Sequence, residues 1–223
     1  MTSLLFFLLG LPVAFAAERL MARFTVAEDD VAEDGSGAAK RLAWQRGAWP
    51  ARVRVLVAAT MPLLMAVAAM RFDVGQALAV SALVVALLIC TATDLLRYRV
   101  PNAITYPGTL LALLGALVMP GAEFSSALLA FVLAGLGFLA LALATNGGFG
   151  LGDVKLAALI GAALGLQASY QALFLGIVGG GLILLVLFAI GAVGRKQAVP
   201  YAPFLALAAV AVVLTQGAAF APL

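Results

Sequence analysis

Apolar runs follow one another through almost the whole chain, and that continuity rules out a water-soluble domain. Hydrophobic residues fill 65% of the 223 positions and charged residues only 10%, with a mean hydropathy of +1.16. A bilayer span needs roughly 17–25 predominantly apolar residues. Eight segments of this kind can be drawn, at 3–20, 53–71, 76–96, 103–119, 124–145, 153–168, 171–193 and 200–219. The pattern predicts an all-α, polytopic membrane helix bundle of about eight transmembrane helices. The sixth segment is short and flanked by glycines, so seven spans plus a re-entrant element is the competing arrangement.

Basic residues decide between the two. Ala14-Phe15-Ala16 is similar to a signal-peptidase site, but a signal peptide carries its positive charge ahead of the apolar stretch. Here Arg19 and Arg23 follow it, so the first segment reads as a retained helix with its N-terminus outside. Eight spans then put 18–52, 95–102, 146–155 and 194–199 in the cytosol. Those loops, with flanking residues to Arg54, hold Arg19, Arg23, Lys40, Arg41, Arg46, Arg52, Arg54, Arg97, Arg99, Lys155, Arg195 and Lys196. That is twelve of the thirteen basic residues, with only Arg71 on the other side. Cytosolic enrichment of Lys and Arg is the expected bias, and seven spans would break the alternation. The net charge of +3 thus reflects topology, and no nucleic-acid partner is expected; the partner common to every span is the lipid bilayer.

One long polar stretch divides the chain into a first helix with an acidic cytosolic loop, 1–52, and a membrane domain, 53–223. The loop centre, Glu28-Asp29-Asp30-Val31-Ala32-Glu33-Asp34-Gly35-Ser36-Gly37, is too poor in apolar residues to bury a core. Trp44 and Trp49 with Arg46 suit an interface anchor.

Against this background two aspartates stand out. Asp94 closes the third apolar run and opens Asp94-Leu95-Leu96-Arg97-Tyr98-Arg99-Val100-Pro101-Asn102. Asp153 ends Gly150-Leu151-Gly152-Asp153 and begins the sixth. Ionisable groups near membrane depth are costly and default to a functional reading. The topology puts both carboxylates on the cytosolic side, at similar depth on different helices. Close carboxylates share a proton, so one can act as base on a water while the other donates to a scissile carbonyl. Such a mechanism calls for no metal and no cofactor. Helix polarity assigns Asp153, at a helix start, as the base and Asp94, at a helix end, as the acid.

The remaining chemistry is sparse. Histidine is absent and Cys90 is the sole cysteine, which removes Ser-His and Cys-His nucleophile systems, His-ligated zinc and intrachain disulfides. Cys90 sits within an apolar run and reads as a small buried hydrophobe. Gly147, Gly148, Gly150 and Gly152 would let backbone approach a substrate closely. Ala157, Gly161 and Gly165 recur every four residues, a small-residue face on which helices pack. Lys155 reads as a topology anchor that could also tune the aspartates. Pro101-Asn102 reads as a breaker opening the next span. Val199-Pro200-Tyr201-Ala202-Pro203-Phe204 opens the last one, where Pro200 and Pro203 could support the site. A transporter or ion or proton channel using Asp94 and Asp153 is the alternative class. It calls for further polar groups through mid-membrane, and the spans offer almost none.

Asp-x6-Pro-Asn at 94–102, GxGD at 150–153 followed by Lys155, and the Pro-x-x-Pro segment at 200–203 together resemble the type IV prepilin peptidases. These are the GxGD aspartic proteases of bacterial inner membranes. The resemblance implies an aspartic endopeptidase that removes the short basic leader of prepilins or pseudopilins at the cytosolic membrane face. It implies Asp94 and Asp153 as the catalytic pair, and the substrate helix as the partner. Family members serve type IV pili, type II secretion or tight-adherence pili. Bifunctional members carry paired CxxC motifs in the first cytosolic loop and also N-methylate the new amino terminus. The loop here has no cysteine, so the zinc-stabilised subdomain is missing and methylation is not implied. The sequence sets no oligomeric state.

Overall fold

A computed structural model describes residues 2–27, 51–145, 149–191 and 199–222. The acidic loop, Trp44, Arg46, Trp49, Gly147, Gly148, Arg195 and Lys196 lie outside the described residues. Among the described residues the chain is all-α apart from one C-terminal hairpin. Its helices are α1 (Thr2–Ala27), α2 (Ala51–Arg71), α3 (Val74–Arg97), α4 (Asn102–Val118), α5 (Phe124–Ala144), α6 (Leu151–Ala189) and α7 (Ala202–Gln216). The hairpin pairs β1 (Gly217–Ala218) with β2 (Ala221–Pro222), antiparallel.

Four of these helices, α1, α3, α5 and α6, are long and apolar enough to cross a membrane, and three shorter apolar helices accompany them. Large apolar side chains such as Leu4, Leu111, Leu136 and Leu185 are exposed on the outside of the bundle, as expected where lipid is the solvent.

α6 corrects the sequence reading in one place. Its 39 residues are two helices joined at Gly165, whose torsions (φ 75°, ψ −177°) are non-helical. That region of torsion space is open essentially to glycine alone. Before the break, Gly161 packs on Ala130 of α5, and Gly165 itself lies beside Ser126. The 151–164 half therefore runs antiparallel to α5. After it, residues from Leu166 to Ile177 line one cavity with α5 from Ala130 to Leu141, so the 166–189 half returns along α5. The described residues thus form eight helical segments, and the sixth and seventh meet at Gly165, not between 168 and 171. Gly165 is the turn, and it too lies tight against α5, at Ser126. Gly161 belongs to the packing face, since a Cβ there would stand 2.5 Å from the Ala130 carbonyl oxygen.

A break buried among apolar side chains frees main-chain groups that must find partners. The Leu166 N–H donates to Ser126 Oγ (2.9 Å). The Ala219 N–H of the hairpin donates to the Ala163 carbonyl (2.9 Å), and the Glu123 N–H donates to the Ala219 carbonyl (3.1 Å). Phe220, 3% exposed, packs on Gly115 of α4. The hairpin therefore closes the end of the bundle opposite the aspartates, where the sequence reading continued the last span to residue 219.

Candidate active site

Asp94 is turned inward by helical periodicity. Ala77, Val80, Val84, Leu87 and Asp94 all lie on the buried face of α3, spaced as one stripe of a 3.6-residue helix. Tyr98 then stops the helix in the left-handed conformation (φ 55°, ψ 37°), with its N–H donating to the Asp94 carbonyl. The chain turns through Val100 and restarts at Pro101, whose carbonyl accepts the Ile104 and Thr105 N–H groups (both 3.1 Å).

Asp153 is the third residue of α6, with Gly150 as its N-cap. The two bond reciprocally. The Asp153 N–H donates to the Gly150 carbonyl (3.0 Å), and the Gly150 N–H donates to Asp153 Oδ2 (3.0 Å). This is the backbone form of a capping box. Gly152 allows the turn to meet the Asp94 strip, because a Cβ there would stand 3.0 Å from Val100 Cγ2. Lys155 Nζ donates to Asn102 Oδ1 (2.7 Å) across 53 positions of sequence, and lies 5.6 Å from the centre of the Tyr106 ring.

A third element completes the site. The Ala202 N–H, at the start of α7, donates to Asp94 Oδ2 (3.0 Å), and the neighbouring Tyr201 N–H also interacts with this carboxylate. The Tyr201 ring stands edge-on to Phe149, centroids 4.7 Å apart, and Phe149 meets Phe138 of α5 at 5.7 Å. Asp94 and Asp153 are close enough for their charges to interact, and Tyr201 is within electrostatic reach of Asp153. Both aspartates are nearly enclosed, at 6% and 8% exposure.

The structure therefore gathers Asp94, Pro101, Asn102, Gly150, Gly152, Asp153 and Lys155 at one end of the bundle. Pro200 and Pro203 flank the site, but the groups that reach Asp94 are the main-chain N–H groups between them. Sequence reasoning had placed the 199–204 segment at the site without singling out Tyr201, and it missed Phe149 and the Ala202 N–H. One signal was available: prolines at 200 and 203 have no N–H to offer, so the residues between them carry the free donors at this helix start. The geometry also removes the asymmetry behind the acid and base assignment, since each carboxylate accepts a main-chain N–H at a helix start. Among the described residues no group of three or more His, Cys, Asp or Glu side chains is gathered.

The fold and site define a class: a bundle of apolar, membrane-length helices with two buried carboxylates at helix ends, within electrostatic reach of each other. Residues 81–185 match the family model of the type IV leader peptidase family. This match supports assigning the chain to that family and indicates a peptidase. Both aspartates lie within the matched stretch, whereas Tyr201 and α7 lie beyond it. No curated protein and no solved structure gives a significant match.

Proposed function

We propose that this protein is an aspartic endopeptidase that removes the leader of prepilins or pseudopilins at the cytosolic face of the bacterial inner membrane. The observation that carries the reading is the burial of Asp94 and Asp153, on separate helices and within electrostatic reach of each other, inside a leader-peptidase match. The pair shares one proton. The ionised carboxyl takes a proton from water as the water oxygen attacks the scissile carbonyl, and the protonated one donates to the carbonyl oxygen. Collapse of the tetrahedral species returns a proton to the leaving amine and restores the pair. Either aspartate can begin as the base.

The topology we infer has eight spans with the N-terminus outside. It is supported by the twelve basic residues allotted to cytosolic loops and by the reversal at Gly165, which keeps the alternation intact. Gly150, Gly152, Pro101, Asn102, Lys155, Pro200 and Pro203 are read as support for the pair. The cysteine-free first loop favours leader cleavage without methylation of the new amino terminus.

The test is cleavage of a co-expressed prepilin in membranes, read as a mobility shift, by the parent, Asp94→Asn and Asp153→Asn. Cleavage by the parent alone, at equal abundance of all three, is expected. Processing by either variant would rule out the carboxylate pair.

A further inference from the structure

We propose that Tyr201 is a positioning residue of the carboxylate pair, holding Asp94 through its backbone while its ring packs on Phe149, next to the Asp153 turn, and its hydroxyl anchors on α6, so that it sets the distance between the two carboxyl groups. The inference rests on the aspartic peptidase reading and adds a residue outside the family match.

Tyr201 reaches Asp94 through its backbone, Phe149 through its ring and the 166–189 half of α6 through its hydroxyl. Its N–H and that of Ala202 address Asp94. Its ring abuts Phe149, which leads into the Asp153 turn, and it feels the Asp153 charge. Its hydroxyl donates to the Ile177 carbonyl (2.8 Å), with the Gly176 carbonyl at 3.4 Å. That reach needs α7 pressed tightly onto the 166–189 half of α6. Gly176 permits this, because a Cβ there would stand 2.9 Å from Leu205 Cδ2. At 8% exposure the ring has little room to swing. Three elements are thereby pinned by one side chain and one stretch of backbone. Proton sharing between carboxyl groups depends steeply on their separation, and a displacement of about 1 Å in a reacting constellation can cost on the order of 100-fold in rate.

The experiment uses the full-length enzyme in lipid nanodiscs and a synthetic peptide carrying a basic leader followed by an apolar helix. It compares Tyr201→Phe, Tyr201→Leu and Tyr201→Ala, with rates taken per folded molecule. Expected for Tyr201→Ala is a loss of kcat on the order of 100-fold with KM held within about twofold. Its pH–rate bell should also narrow, because carboxyl groups moved apart titrate less differently. Tyr201→Phe keeps the ring and should recover most of both, and Tyr201→Leu should fall between. Tyr201→Ala or Tyr201→Leu with parental kcat and parental bell width would overturn the proposal. So would a loss that tracks folded abundance alone. Parallel Asp94→Asn and Asp153→Asn separate the two levels: activity in those variants refutes the aspartic reading itself, whereas their inactivity beside a fully active Tyr201→Ala refutes only the role of Tyr201.

Discussion

The two ends of the bundle face the same physical problem and solve it with different groups. At the Gly165 end, main-chain groups freed by a helix break meet a serine hydroxyl and main-chain partners from the hairpin, all of them neutral. At the other end, the Gly150 and Ala202 N–H groups begin helices in more enclosed surroundings than the Leu166 N–H, yet they meet carboxylates. Ser126 shows that a hydroxyl is sufficient for such a cap. Burying a carboxyl group near lipid is far more costly than burying a hydroxyl. The site end therefore carries more than capping requires, and that excess fits the proposed catalytic pair.

Amide substitution breaks this comparison most sharply. Asp94→Asn and Asp153→Asn each keep a carbonyl oxygen able to accept the same N–H, but neither amide can shuttle a proton. The expected loss of leader cleavage is about 100- to 10,000-fold, with thermal unfolding in detergent close to that of the parent. If instead both variants unfolded early and kept their activity per folded molecule, the aspartates would be caps like Ser126.

The opposite pattern is expected at the far end. Gly165→Ala places a side chain at a φ of 75° and 2.9 Å from Ser126 Oγ, and should cost about 1–3 kcal/mol of stability. Ser126→Ala leaves the Leu166 N–H without its acceptor and should cost about 1 kcal/mol. Both are read by thermal unfolding in detergent, and both should leave cleavage per folded molecule within about twofold, since neither residue lies near the carboxylates. A far-end variant that silenced the enzyme while leaving stability intact would show that the two ends are coupled.

What could be read in advance followed from the same contrast. Helices α1 to α5 and the two aspartates were legible because apolar run length and an isolated carboxyl group are both carried by side chains. The break at Gly165 was placed a few residues late, because the apolar run crosses it from Leu164 to Leu166 and the polar Gln167, Ser169 and Gln171 that mark a turn come after it. Ala157 and Gly161 in the same four-residue repeat do face helix packing, so small residues at one spacing can hold two jobs that only torsions distinguish. The hairpin at 217–222 is made of two-residue strands, too short to show alternation. The donors on Asp94 escaped notice because a main-chain N–H leaves no signature in residue identity; only the flanking Pro200 and Pro203 hinted at it.

The smallest expected effect lies at the edge of the site and decides whether Lys155 belongs to it. Lys155 sits two residues past Asp153, yet its ammonium donates to Asn102 and lies over Tyr106. That geometry ties the start of α4 to the start of α6 at a solvent-facing position, where such a hydrogen bond and cation–π contact are worth about 0.5–1 kcal/mol together. Lys155→Met keeps the length and removes the charge, while Asn102→Ala removes the acceptor and keeps the lysine. If the pair is a brace, both variants should lower stability by similar amounts, the double variant should cost no more than either, and cleavage should change by less than about threefold. If the lysine charge acts on the carboxylates, Lys155→Met alone should lower cleavage about tenfold or more and shift its pH–rate profile, with Asn102→Ala silent. The brace is the outcome expected here, because the ammonium already has its partners on the α4 side, away from the enclosed pair.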